Sequence, residues 1–152
     1  MFNTMNFLRT AAAASVLGFA VTGCGMMSMP WSSSTTKTFG ASLSGSSEVP
    51  PVTTGGSGTF AAKLDTDTRV LNWTLTHSGL TGPATAAHLH GPAMPGANAG
   101  VAVPFSNAMS GSTGQATLTA VQVADLMAGK QYVNVHTAAN PGGEIRGQVM
   151  AK

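Results

Sequence analysis

The residues most able to do chemistry in this sequence are four histidines, His77, His88, His90 and His136, the only ones in the chain. His88-Leu89-His90 falls in a run that alternates apolar and polar residues, so it reads as a β-strand whose side chains point to opposite faces in turn. Leu89 then faces the core. The imidazoles of His88 and His90 emerge together on the other face, about 6.6 Å apart along the backbone. Two imidazoles that each approach an ion to about 2 Å can close such a gap. Tyr132-Val133-Asn134-Val135-His136 alternates in the same way, with Val133 and Val135 inward and His136 outward. Pro141-Gly142-Gly143 then turns the chain into Glu144-Ile145-Arg146, placing Ile145 inward and both charges outward. Separate surface histidines would give the same alternation, so periodicity alone leaves a shared site and scattered residues equally open.

The candidate ligand set is His88, His90 and His136. His77 has the parity of Trp73 and Leu75, the expected core face, and joins as a fourth ligand only if a bulge reverses it. Imidazole suits copper, zinc, nickel and iron, and among divalent ions Cu(II) binds a given nitrogen site most tightly. Copper is therefore the expected ion and zinc the alternative, since three histidines with an open position are also the layout of a catalytic zinc site. Calcium and magnesium need many oxygen ligands, and only five Asp or Glu are present. Arg146 would place a fixed positive charge near an open coordination position, drawing in a small anion such as superoxide. Glu144 would orient an imidazole from behind. The bland reading of Glu144 and Arg146 is an exposed ion pair of little energy.

The elements that must position these residues are strands. Of 152 residues 43% are hydrophobic and only 8% charged, against about 25% charged in ordinary soluble domains. Long charged helices and coiled coils are excluded. A net charge of +2 with 6% aromatic residues also leaves neither a basic footprint nor a stacking surface for nucleic acid. Short alternating runs separated by Gly, Pro, Ser and Asn predict an all-β fold, a Greek-key sandwich or barrel of about eight antiparallel strands. The strands are expected near 37–44, 57–64, 69–77, 84–90, 100–105, 114–118, 131–137 and 144–150. Glu48-Val49-Pro50-Pro51 sits in the first connection, since proline cannot donate to a ladder. One short helix fits before the seventh strand. Thr119 caps it with Gln122 three residues on, Gly129 follows its end, and Val121, Ala124, Leu126 and Met127 would form its buried face.

Residues 1–23 read as a secretory leader, with Arg9 supplying positive charge and Thr10–Val21 an apolar stretch too short to span a bilayer. Val21-Thr22-Gly23-Cys24 looks like a bacterial lipobox, which makes Cys24 the lipidated first residue of the mature chain. Lipidation also accounts for a lone cysteine in an exported protein. Residues 24–36 read as the lipidated cysteine and a Ser/Thr-rich tether, whose three methionines are weak Cu(I) ligands at most. Because Gly25 rather than Asp follows the cysteine, an outer-membrane or cell-surface anchor is expected over the inner membrane. Residues 37–152 form the folded domain.

Ala87-His88-Leu89-His90-Gly91-Pro92-Ala93, Tyr132-Val133-Asn134-Val135-His136-Thr137 and Pro141-Gly142-Gly143-Glu144-Ile145-Arg146-Gly147-Gln148 resemble the hallmarks of the chordin-type (CHRD) domain. Glu48-Val49-Pro50-Pro51 and Gly96-Ala97-Asn98-Ala99-Gly100 fit the same pattern, over about Thr38 to Met150. A more distant resemblance joins Ser78-Gly79-Leu80-Thr81 and His88-Leu89-His90 to the copper-binding strand of copper,zinc superoxide dismutase. It implies a Greek-key barrel, with His136 and Arg146 as the later copper ligand and the near-C-terminal arginine. The zinc-loop cluster, the bridging histidine and the internal disulfide of that family are missing, so the resemblance implies a copper-only site. Three functions follow: a membrane-anchored copper protein with superoxide dismutase-like activity, a non-catalytic copper or zinc binding or delivery protein, and a metal-free interaction or adhesion module. The sequence contains no nucleophile motif, phosphate loop or dinucleotide fingerprint to support other chemistry.

Overall fold

Apolar residues at every second position along eight segments dictate strands with one face buried. The computed structural model describes residues 35–152 and contains these strands in a single sheet. They are β1 (Thr36–Ser44), β2 (Ser57–Asp65), β3 (Val70–Ser78), β4 (Ala84–His90), β5 (Val101–Pro104), β6 (Ser112–Thr117), β7 (Gln131–Thr137) and β8 (Ile145–Ala151). All eight agree with the expected segments, their ends differing by a residue or two. The expected leader, lipidated Cys24 and most of the tether lie outside the described residues. Among those described, no helix is long and apolar enough to cross a membrane.

The sheet order is β5-β4-β7-β8-β1-β2-β3-β6, and the ladders between neighbours are antiparallel. Strands β1 to β3 form a meander. The connections β3–β4, β5–β6 and β6–β7 then cross between the halves of the sheet, as in a Greek key. The halves meet at the β1–β8 ladder, where Phe39 pairs with Ala151 and Ser44 with Arg146. On the far side the sheet nearly closes into a barrel. Phe105, just after β5, stacks on Trp73 of β3 at 4.6 Å and lies 5.9 Å from Phe60 of β2. The interior is a single apolar cluster that includes Phe39, Phe60, Leu71, Leu89, Val133, Val135 and Ile145.

Helix α1 (Ala120–Met127) has the expected capping box: the Thr119 hydroxyl accepts from Gln122 N–H, and the Gln122 side chain accepts from Thr119 N–H. Gly129 follows with φ +67°. Its buried face differs from the expected one. Leu126 is fully buried and Val123 packs on the core, but Val121 is 71% and Met127 47% exposed. An eight-residue helix touches the barrel along one narrow i, i+3 stripe, and Val121 lies about half a turn from Val123.

Candidate metal centre

Register brings the histidines together. Strand β4 pairs with β7 so that Ala86 faces His136, His88 faces Asn134 and His90 faces Tyr132. With Leu89, Val133 and Val135 buried in the core, the other parity places His88, His90, Tyr132, Asn134 and His136 on the outer face of the sheet. His88 and His136 are diagonal neighbours, within reach of long side chains. His88 Nδ1 lies 3.0 Å from His136 Nε2. Ring centroids are 4.9 Å apart for His88 and His136, 5.4 Å for His88 and His90, and 6.3 Å for His90 and His136. One nitrogen from each ring lies within 4.8 Å of the other two. Nitrogens sharing one ion at about 2 Å sit roughly 3–4 Å apart, so closure needs side-chain adjustments of about an ångström.

The free lone pairs are set by what the other ring nitrogens touch. His136 Nδ1 is 3.0 Å from the Pro141 carbonyl and His90 Nδ1 is 3.0 Å from the Ala99 carbonyl. A carbonyl only accepts, so both Nδ1 atoms carry the proton and both Nε2 atoms present a lone pair. His90 Nε2 is buried with no hydrogen-bond partner, which is costly for a polar atom unless a ligand completes it. Facing the His136 lone pair, His88 Nδ1 holds the proton of their contact; for His88 Nδ1 to serve as a ligand, that proton would have to move to His88 Nε2. Burial, then the charges of His136 and His90, pushes the His88 pKa below the ordinary imidazole value. Burial also lowers His90, against the opposing hydrogen bond to Ala99. Neutral imidazole is the form a metal requires.

His77 does not join the triad. It sits on β3, five places from β4 in the sheet order, with its Nε2 2.8 Å from the Ala108 carbonyl. Its parity is the expected one, and no bulge reverses it.

Arg146 lies on the expected side of β8, Glu144 just precedes that strand, and neither is exposed. Arg146 is 2% accessible because loops 45–52 and 91–100 roof this face of the sheet, and Glu144 is fully buried among threonines. Arg146 stacks on the Tyr132 ring with Cζ 3.4 Å from the centroid. It donates to Asn98 Oδ1 at 2.9 Å and to the Ala97 carbonyl at 2.6 Å. It is a buried tie to loop 91–100, not a free charge at a site entrance. The Glu144 carboxylate touches no imidazole: it accepts from Thr54, Thr81 and Thr137 hydroxyls at 2.6–2.7 Å and from Thr81 N–H at 2.8 Å.

Sequence reasoning left Tyr132, Asn134, Asn98 and Glu48 without roles. Tyr132 and Asn134 share the parity of His136, which was the available signal. Tyr132 stacks on His90 at 4.9 Å with 4° between the planes, and its hydroxyl meets Ala99 N–H and C=O at 3.2 and 3.3 Å. Glu48 is buried close to Arg146. Its pKa is pushed up by burial and only partly pulled back by that positive charge.

Fold and cluster together define an all-β barrel domain with three converging imidazoles under a roof of loops. The CHRD domain family matches residues 39–149, and the chain belongs to that family. Neither a curated protein nor a solved structure matches it.

Proposed function

We propose that this CHRD protein is an extracytoplasmic, lipid-anchored copper-binding protein whose ion is held by His88 Nδ1, His90 Nε2 and His136 Nε2. The observation that carries the reading is the buried His90 Nε2, which has no protein partner while both neighbouring imidazoles turn nitrogens to the same place. An all-imidazole donor set favours copper over harder ions. Copper bound there would supply one-electron chemistry between Cu(I) and Cu(II). The chain's own part is to hold three neutral imidazoles in fixed tautomers and to leave one side open at His88, the least buried of the three. The anchor rests on Val21-Thr22-Gly23-Cys24, and Gly25 favours an outer-membrane or cell-surface position.

Superoxide removal is the second reading, favoured by the open side at His88. The burial of Arg146 removes the expected steering charge, so binding without fast turnover is the better-supported function. Zinc is the alternative ion.

The test is copper and zinc titration of the full chain extracted from membranes in detergent. One equivalent of copper is expected to bind, with affinity reduced at least tenfold in each of His88→Ala, His90→Ala and His136→Ala. Wild-type binding no tighter than that of the triple variant overturns the reading. Because the His88 and His90 pKa values are lowered, binding is expected to persist below the ordinary imidazole pKa of about 6.5 and to fail on further acidification. In the same preparation, superoxide removal no faster than with equal free copper rejects the enzymatic reading. Cys24→Ser is expected to release the protein from the membrane fraction.

A further inference from the structure

Three strands and one loop converge on His90. Strand β7 lies between β4 and β8, and on the outer face it presents Tyr132. From the β4 side the His90 ring lies flat on the phenol at 4.9 Å. From the β8 side the Arg146 guanidinium lies over the ring at 3.4 Å. Two groups at such distances cannot share one face of a ring, so Tyr132 is sandwiched between imidazole and guanidinium. The remaining edges meet a single short segment. Ala97 and Asn98 take two guanidinium N–H groups, and Ala99 takes both the Tyr132 hydroxyl and His90 Nδ1. Asn98 Nδ2 in turn donates to the Val49 carbonyl at 2.8 Å, fastening the segment to loop 45–52.

We propose that Arg146 is the positioning residue of the metal centre: through Tyr132 and the Ala97–Ala99 segment it holds His90 in the tautomer and orientation that leave Nε2 free for the ion. This rests on the metal-binding reading above and goes beyond it, because it assigns Arg146 to ligand geometry instead of anion attraction. The chemistry demands an arginine. A planar guanidinium can cover an aromatic face and donate in its own plane to two acceptors at once, whereas an ammonium is a compact charge that does neither. The Ala99 carbonyl that fixes the His90 proton is one residue from Asn98, so loosening the guanidinium loosens the group that sets the tautomer. Partners of this kind behind a metal ligand alter affinity by about 10- to 100-fold.

The experiment compares the Cu(II) electron paramagnetic resonance spectrum and copper affinity of the full-length wild type with those of Arg146→Lys, Arg146→Gln and Asn98→Ala. Leu64→Ala, a core truncation on β2, serves as a control for destabilisation alone. The expected result is a shifted spectrum and about 10- to 100-fold weaker binding in both Arg146 variants. A smaller change of the same kind is expected in Asn98→Ala, and a wild-type spectrum in Leu64→Ala. Should an Arg146 variant fail to fold, Asn98→Ala carries the test, since it leaves the guanidinium and its bond to the Ala97 carbonyl in place. Spectra of the Arg146 variants matching wild type overturn the proposal, as does Arg146→Lys behaving like arginine or Leu64→Ala reproducing the shift. A wild type that binds no copper is a different failure and sinks the metal reading itself.

Discussion

Glu144 shows how far a residue's surroundings can work against its burial. Removal from water alone would raise its pKa, but hydrogen bonds from Thr54, Thr81 and Thr137 and from Thr81 N–H outweigh that and lower it from an ordinary 4.5 to about 2. The folded pKa lies below the unfolded one, so the ionised carboxylate stabilises the fold above about pH 4.5. That contribution disappears as pH falls toward about 2. Glu144→Gln is expected to cost about 2 kcal/mol at pH 7, in the range for lost hydrogen bonds to a charged group. It should also flatten the acid side of the stability profile. Urea unfolding of both proteins between pH 3 and 7 reads this directly, and parallel profiles would show that the carboxylate is not the group responsible.

At the scale of elements, the loop from β7 to β8 does two jobs. It delivers the Pro141 carbonyl to His136 and passes beneath Glu48 and Asn134. Gly143 makes that passage possible. Its φ is +130°, and a Cβ there would run into Glu48 Oε1 and Asn134 Nδ2. Gly143→Ala therefore combines backbone strain with a clash against buried groups and is expected to lower stability by about 2–3 kcal/mol. The denaturant midpoint measures it, and a change under half a kcal/mol would mean that the loop relaxes around a methyl group. The Pro-Gly-Gly run was legible as a turn, but its carbonyl contact with an imidazole was not, since that contact depends on where the turn lands.

For the whole molecule, the barrel holds β4 against β7 and the loops lie across them, so on the proposed reading binding an ion would be coupled to folding. An ion that binds only the folded chain stabilises it by about 2.7 kcal/mol at a hundredfold excess over its Kd. For a domain of this size that corresponds to a Tm rise of about 10 °C. Calorimetry without copper and with free copper held at about a hundred times its Kd tests it. Equal copper-induced Tm shifts in wild type and His90→Ala would place the ion away from this cluster.

The eight strands, the capped helix and the shared face of His88, His90 and His136 were written in the alternation of residue types, because side-chain parity is a local property of an extended chain. Local periodicity cannot say which strands become neighbours, nor what covers a face. The structure decided that β4 lies beside β7 and β3 does not, which gathers three histidines and leaves His77 apart. It also decided that loops roof the outer face, so Arg146 and Tyr132, polar and outward by parity, end up buried, and that Glu144 is buried among Thr54, Thr81 and Thr137. Those outcomes arise from contacts between segments as far apart as 90 residues, such as Glu144 with Thr54, a distance no local pattern can encode.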